Sequence, residues 1–574
     1  MGVSNILSDG SVNLILKLPP SLRERLYKLS IEDVLLPGKV EFVVLFGEDE
    51  AIVRESTESF GGSFENLGFG YGIVYLPISQ IDSILKIRGI DYVELPKVLY
   101  TSYAVSNRVS CVNEAWNAYN LSGEGVLVGF IDSGIDYTHP AFKDDDGKTR
   151  IEYIYDLSQG GKIWNKNQIQ QAIDSTDPFS IVDEVDDNGH GTHVASIACG
   201  GGKISQVYYG PAYKSSIAMV KITPKGSLNM GTSTLIMRGI KFLIDKSKEL
   251  NKPLVINLSL STNSGAHNGK SLFEKYISTV SALEPIVFVA ASGNDGDTSQ
   301  HVGGILKKTQ DIALTIARDE SNITIPLYKG LLSNISIEII NPASQSSGVI
   351  DIREEFFDRQ VGRDRVLIYY TGPKPFDIDG EIIISLLSPE NQFLLSGVWT
   401  IRIKLLNETT SIYNMWMAVT SSLNKETKFL NPDIYNTLGI PATVENVISV
   451  GSYNPFTGNI SSFSGRGSIN NPVLKPDIVA PGENIEAAIP RNRYGTKSGT
   501  SMATPEVSGI CALLLEWGIV KGNDVILYGE RLKYYLVKGA KRERTDVVYP
   551  DTVWGYGEVC LNNALNLLRL NRIN

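Results

Sequence analysis

Three short motifs place an aspartate, a histidine and a serine in that order along the chain. Asp132 ends the apolar run 126–131, His190 lies in the segment Asn-Gly-His-Gly-Thr-His, and Ser501 lies in Gly-Thr-Ser-Met-Ala-Thr-Pro. A carboxylate can orient an imidazole, and the imidazole can accept the proton of a serine hydroxyl. The activated hydroxyl is then able to attack a peptide carbonyl. These residues therefore predict the hydrolysis of peptide bonds.

Asn294 is a fourth candidate, since it follows the apolar run 285–291 in the segment Ala-Ser-Gly-Asn-Asp-Gly. Its amide could donate a hydrogen bond to the oxyanion of a tetrahedral intermediate. The plain alternative is a turn asparagine. For Ser501 the plain alternative is an N-cap serine, because helix-forming residues follow it. A helix N-terminus would also favour a developing negative charge.

Other acidic residues lie close to these motifs in the sequence. For Asp136, Asp186 and Asp187 we predict solvated loop positions or a cation site rather than a catalytic role. Glu506 follows Pro505 in the helix after Ser501, and we predict that it is solvated.

The elements that must hold the motifs alternate between buried strands and helices. Apolar runs predict the strands 126–131, 217–222, 254–258 and 285–291, and helical patterns predict 190–199, 235–244 and 271–282. This alternation predicts an α/β domain with a parallel sheet flanked by helices. From 306 to 430 only short β-like runs occur, which predicts an inserted β-sandwich or jelly-roll domain. The α/β pattern resumes at 446–451.

The segment 41–95 has a pattern of its own. Strands are predicted at 41–46, 72–76 and 91–95, and helices at 51–60 and from Ser79 to about 88. These elements form a small α+β unit that precedes the α/β domain.

The bulk properties exclude several classes of protein. A chain of 574 residues predicts two to four domains. The net charge of −10 argues against nucleic acid as the partner. We expect no membrane span, because no run of 18 apolar residues occurs, and no secretory signal, because the first residues have no basic or long apolar region. The four cysteines are predicted to be buried free thiols: Cys111, Cys199, Cys511 and Cys560.

The motifs and their order resemble those of the subtilisin family of serine proteases. The resemblance implies that Asp132, His190 and Ser501 form the catalytic triad, that Asn294 binds the oxyanion, and that His193 is structural. It also implies two segments that hold an extended peptide and a pocket for one of its side chains. The residues implied in substrate binding are Ser227, Leu228, Asn229, Ser259, Leu260, Ser261, Ala291, Ser292 and Gly293.

The α+β unit resembles the ferredoxin-like propeptide of these enzymes. With the insertion, it makes the chain similar to the Csp germination proteases of clostridial spores. That resemblance implies the domains 1–101, 102–305, 306–430 and 431–574, and cleavage of the propeptide by the enzyme itself near Tyr100, Thr101 and Ser102. The propeptide would stay bound in cis.

The same resemblance implies a cortex-lytic proenzyme as the protein substrate and a location inside the bacterial spore, or otherwise in the cytoplasm. No cofactor is implied, and calcium binding is left open. Two other functions remain open as well. One is a general intracellular or surface protease, and the other is a catalytically silent pseudoprotease that acts as a germination sensor.

Overall fold

The computed structural model describes most of the chain. The described residues are 7, 8, 12, 16, 39–47, 49–94, 102–224, 231–283, 285–352, 356–371, 377–407, 410–469 and 473–570. They form two compact units, Met1–Tyr100 and Thr101–Asn574, and each has a hydrophobic core of its own.

The N-terminal unit is a five-stranded sheet with helices. In spatial order its strands are Leu7–Ser8, Ile90–Glu94, Lys39–Phe46, Tyr71–Pro77 and Ser63–Gly68, and its helices are Glu50–Glu58 and the 3-10 helix Ile78–Lys86. The sequence predicts a helix where the second of these helices lies. It is a 3-10 helix because its isoleucines recur at every third position. A repeat of three residues matches the 3-10 helix, in which side chains at i and i+3 share one face.

An eight-stranded sheet forms the centre of the second unit. In spatial order its strands are Ile478–Pro481, Ile448–Tyr453, Ile286–Ala291, Leu254–Leu258, Leu127–Asp132, Ser216–Lys221, Ile151–Asp156 and Lys162–Asn165. All neighbours pair in parallel except the last strand, which is an antiparallel edge strand. The predicted subtilisin-like α/β fold is confirmed, with a mixed sheet in place of a purely parallel one.

Helices cover both faces of this sheet. They are Ser102–Val109, Val112–Tyr119, Lys166–Ile173, His190–Cys199, Ser233–Leu250, Leu272–Leu283, Thr500–Leu515, Gly529–Lys538 and Leu561–Leu570. Neighbouring residues of one strand, such as Phe130 and Ile131, belong to different hydrophobic clusters on the two faces. The segment Thr500–Val520 is long and apolar enough to cross a membrane, but 89% of an apolar 18-residue stretch within it is buried inside the protein, as in the core helix of a globular fold.

The insertion consists of two antiparallel sheets packed on one apolar core. One sheet contains His301–Leu306, Ser411–Trp416, Asn322–Lys329, Gly380–Leu387, Asp364–Thr371 and Phe356–Val361, and the other contains Ile350–Asp351, Ile335–Ile340, Gly397–Leu405, Thr309–Ile316 and Lys428–Phe429. This is a β-sandwich, which begins at His301, five residues before the predicted start. The jelly-roll connectivity stays a prediction.

The insertion is tied to the α/β core by specific contacts. The Trp416 ring stacks on His267 with 4.2 Å between ring centroids, and its indole N–H donates to the Asn436 carbonyl at 3.0 Å. Near the active site, the Thr420 hydroxyl donates to Asp295 at 2.8 Å. These contacts fix the sandwich next to the residues that follow Asn294.

The cysteine prediction is wrong for one pair. Cys111 and Cys560 form a disulfide, with 5.0 Å between their Cα atoms. It joins residues 449 positions apart, so no local pattern in the sequence indicates the pairing. Cys199 and Cys511 are buried free thiols, as expected.

Candidate active site

Asp132 and His190 form a hydrogen-bonded pair in the candidate site. Asp132 ends a central strand and has no exposed surface, and its Oδ1 accepts a hydrogen bond from His190 Nδ1 at 2.7 Å. A carboxylate at Nδ1 requires the proton to be on that nitrogen, which leaves Nε2 free to act as the base. The side chain of His190 is 19% exposed, so the imidazole is accessible from the pocket.

The helix His190–Cys199 begins at the candidate base His190 and packs closely on the loop after Asp132. A Cβ atom on Gly191 would lie 2.2 Å from the Gly134 carbonyl oxygen, so only glycine permits this approach. Asp186 connects the same two segments, since its carboxylate accepts hydrogen bonds from Ser133 Oγ and from the Thr192 backbone and hydroxyl. Asp186 is therefore a buried structural carboxylate rather than a solvated one.

The electrostatics of His190 suit a general base. Burial lowers its pKa, but the adjacent Asp132 carboxylate and the hydrogen bond to it raise the pKa more, so that the net pKa lies above the ordinary value. The neutral imidazole, which is the active form of the base, consequently appears at a higher pH than for an ordinary histidine.

Ser501 lies in the first turn of the helix Thr500–Leu515. Gly499 precedes this helix with φ 152° and ψ 161°, a backbone region that is almost restricted to glycine. The first N–H groups of a helix have no acceptor within it, so the Ser501 N–H is available to an oxyanion. Pro505 has no N–H to offer the Ser501 carbonyl, and Ser259 Oγ donates to that carbonyl instead, at 2.9 Å.

The Ser501 hydroxyl donates to the Ser259 carbonyl at 3.0 Å. Among the residues that the structure describes, no hydrogen bond joins this hydroxyl to His190. Rotation about the Cα–Cβ bond of Ser501 redirects the hydroxyl, and catalytic hydrogen bonds commonly tighten only when substrate is bound.

Asn294 is oriented by the residue that precedes the nucleophile. Its Oδ1 accepts hydrogen bonds from the Thr500 backbone N–H at 2.9 Å and from the Thr500 hydroxyl at 3.0 Å. The amide nitrogen is then left to donate towards the pocket. An oxyanion formed at Ser501 would thus meet two donors, the Asn294 amide and the Ser501 N–H.

A cavity of about 600 Å³ brings the reactive groups together. His190, Asn294 and Ser501 line it, as do the predicted substrate-binding residues Ser259, Leu260, Ser261 and Ala291. Ser292 and Gly293 are buried behind this wall and do not line it. The predicted residues Ser227, Leu228 and Asn229 lie outside the described residues.

Sequence reasoning missed the opposite wall of this cavity, which belongs to the insertion. Its residues are Val419, Thr420, Ser421, Leu423 and Lys425. They belong to no motif and lie 76 to 82 positions before Ser501 in the sequence, so no signal in the chain pointed to them.

His193, the second histidine of the motif, lies in surroundings that differ from those of His190. His193 is fully buried, and its Nε2 lies 3.0 Å from the Gly495 carbonyl and 3.1 Å from that of Ile485. Burial lowers its pKa to about 3, so it stays neutral and links the histidine helix to the hairpin before Ser501.

The prediction for Glu506 is wrong, because this side chain is fully buried in the helix of the nucleophile.

The propeptide junction is described only in part. Tyr100 and Thr101 lie outside the described residues, and Ser102 is the first residue of the helix Ser102–Val109.

Comparison with known proteins assigns the chain to a family. A model of the subtilase family matches residues 123–321 and 407–557, which is more than half of the chain. The chain therefore belongs to the subtilase family of serine peptidases. A second model, the Csp protease B prodomain, matches residues 8–97.

One solved structure shows which members of the family this chain resembles. The chain is 55% identical to the CspB protease of Clostridium perfringens, with a TM-score of 0.79 over 81% of this chain and 98% of that one. The predicted similarity to the Csp proteases is confirmed.

More distant relatives are longer proteins. The PI-type proteinase of Lactococcus lactis subsp. cremoris is 24% identical over 84% of this chain and 27% of its own length. The minor extracellular protease Vpr of Bacillus subtilis is 23% identical over 90% of this chain and 63% of its own length. The chain thus spans about a quarter of the lactococcal proteinase.

Proposed function

We propose that this chain is a serine endopeptidase that removes its own prodomain and then activates another protein by limited proteolysis. The observation that carries the proposal is the cavity in which Ser501, Asn294 and the His190–Asp132 pair meet. Each group needed for acyl transfer is present there: a nucleophile, a base, a carboxylate that orients the base, and an oxyanion donor. This complete set also argues against a pseudoprotease. The reaction requires no cofactor, because the nucleophile and the acid–base group are side chains.

The substrate that we propose is a cortex-lytic proenzyme of the bacterial spore, cleaved when germination begins. Support comes from the match to the Csp protease B prodomain and from the 55% identity to the CspB protease. In this proposal the protein acts inside the spore, and the released prodomain stays associated with the catalytic unit.

The test is conversion of a purified clostridial cortex-lytic proenzyme by this protein. We expect one defined cleavage product with the parent protein and none with Ser501→Ala, which keeps the fold and removes the nucleophile. Digestion of the proenzyme into many fragments would favour a general protease. An intact proenzyme, together with cleavage of unrelated peptides, would show that the peptidase has another substrate.

A further inference from the structure

Asp295, the residue after the candidate oxyanion donor Asn294, joins separate segments of the catalytic unit. Its carboxylate accepts hydrogen bonds from the Asn263 amide at 2.9 Å, from the Thr420 hydroxyl at 2.8 Å and from the Thr420 N–H at 3.3 Å. The Thr298 hydroxyl donates to it at 3.2 Å. Because Asp295 is only 8% exposed, these internal donors replace the water that an exposed carboxylate would bind.

The segments that meet at Asp295 form both walls of the active-site cavity. Asn263 closely follows the segment 259–261, which lines one wall, and Thr420 belongs to the insertion residues that line the other. Asn263 also donates to the Met417 carbonyl of the insertion at 3.3 Å. The relative position of the two walls is therefore set at the residue beside the oxyanion donor.

The insertion segment 417–425 lies between two cavities. Five of its residues line the active-site cavity, as described above, and four line another cavity of about 650 Å³: Met417, Ala418, Ser422 and Leu423. Side chains beside a cavity have no packing partners on that side. The position of this segment consequently depends more on its hydrogen bonds than on close packing.

Two carboxylates hold the segment, one near each end. Asp295, from the α/β core, accepts from Thr420. Glu320, from the insertion itself, accepts from the Asn424 N–H and from the Thr427 hydroxyl, both at 2.8 Å. Of these two carboxylates only Asp295 belongs to the core, so it is the one that ties the wall to the catalytic groups.

The orientation of Asn294 comes from another contact. Its Oδ1 accepts from the Thr500 N–H and hydroxyl, on the segment of the nucleophile. Loss of the Asp295 carboxylate should therefore release the wall and leave the oxyanion donor in place. Substrate binding, which needs the wall, can thus be separated from the chemical step, which needs Ser501, His190 and Asn294.

We propose that Asp295 is a positioning residue that holds the insertion segment 417–425 as the second wall of the substrate-binding cavity. The inference rests on the proposed peptidase function and adds the insertion to the groups that bind the substrate. In this role Asp295 contributes to the affinity for an extended peptide and takes no part in bond cleavage.

The test uses an internally quenched peptide that copies residues 93–108, which span the expected propeptide cut. Asp295→Ala should raise KM about tenfold and leave kcat nearly unchanged, because its buried donors lose their acceptor and the wall is released. A small fluorophosphonate, which reacts with an activated serine without an extended binding site, should label Ser501 at the parental rate. The control Asp297→Ala removes an exposed carboxylate two positions further on and should keep the parental KM.

Substitutions of Thr420 test the same contact from the side of the insertion. Thr420→Val keeps the shape of the side chain and removes the hydroxyl, so KM should rise; Thr420→Ser keeps the hydroxyl, and its KM should lie closer to that of the parent. Combining Asp295→Ala with Thr420→Val should raise KM no further than Asp295→Ala alone, since the two substitutions remove one shared interaction. Effects that multiply, or an unchanged KM in Asp295→Ala, would overturn the inference.

Hydrogen exchange separates this inference from the proposed function. In a Ser501→Ala background, Asp295→Ala should speed the exchange of the amides in 417–425, whereas those of the helix Thr500–Leu515 should stay protected. If the parent cleaved no peptide but the faster exchange were found, the peptidase function would fail and Asp295 would still hold the wall. Unchanged exchange in 417–425 would refute the inference whatever the parent cleaves.

Discussion

Glu506 makes the stability of the protein depend on pH in a way that can be calculated. Its side chain is fully buried in the helix of the nucleophile, and neither carboxylate oxygen has a hydrogen-bond partner among the described residues. Ser106 and Ser110 of the N-terminal helical segment are near enough to lower its pKa, but their hydroxyls also remain without partners. Burial is the larger effect and raises the pKa of Glu506 from 4.5 to about 7.

The direction of the pH dependence follows from the protonation of Glu506 in the folded and unfolded states. Below pH 4.5 Glu506 is protonated in both the folded and the unfolded protein, so folding carries no ionisation cost. As pH rises from 4.5 to about 7, the unfolded protein ionises while the folded one resists, and stability is lost. Each pKa unit corresponds to about 1.4 kcal/mol, so the loss amounts to about 3 kcal/mol by pH 8.

The perturbation is Glu506→Gln, which keeps the shape of the side chain and cannot ionise. Urea unfolding is followed by tryptophan fluorescence at pH 5 and pH 8, in a Ser501→Ala background that prevents self-digestion. Between these pH values the parent should lose about 2–3 kcal/mol more of its unfolding free energy than the variant, because at pH 5 the unfolded glutamate is already partly ionised. Glu390→Gln, at an exposed turn of the insertion, should behave as the parent does. An identical pH dependence in parent and Glu506→Gln would refute the reasoning.

Three further predictions concern the oxyanion donor, the disulfide and the insertion. Asn294→Leu should lower kcat by about 10² to 10³, and an unchanged kcat for peptide hydrolysis would remove Asn294 from the mechanism. Cys111→Ser/Cys560→Ser should reduce the unfolding free energy by about 2–4 kcal/mol, because the disulfide constrains the unfolded chain; an equal melting temperature of the parent with and without dithiothreitol would contradict this. Deletion of residues 306–430 should lower the melting temperature and protease resistance, since the insertion packs on the core and lines the cavity of Ser501. A deletion variant as stable as the parent would contradict that bracing role.

The sequence could indicate the candidate catalytic groups because each lies in a local pattern that reflects its structural requirement. Asp132 follows a buried strand, Gly191 permits a close approach beside His190, and Gly499 permits the turn before Ser501. The alternation of strands and helices likewise predicted the sheet that brings these segments together. Such information is local, so it can be read from short stretches of sequence.

Features that depend on tertiary contacts could not be predicted in this way. The Cys111–Cys560 disulfide joins the two ends of the catalytic unit, and Lys425 reaches the active-site cavity from an inserted domain. Glu506 occupies a helix whose other residues are almost all buried, yet a single glutamate there looks like a solvated position. In each case the surroundings come from distant parts of the chain, and the residue type alone does not indicate them.

The most direct test of the account is intact mass and N-terminal sequencing of the purified protein beside its Ser501→Ala variant. The account predicts a cut between residues 98 and 104 in the parent and none in the variant. It also predicts that dilution leaves the rate of this cut unchanged, because the reaction is intramolecular. A folded parent that stays uncut, or a variant that is cut equally, would contradict the claim that Ser501 is the nucleophile of a self-processing peptidase.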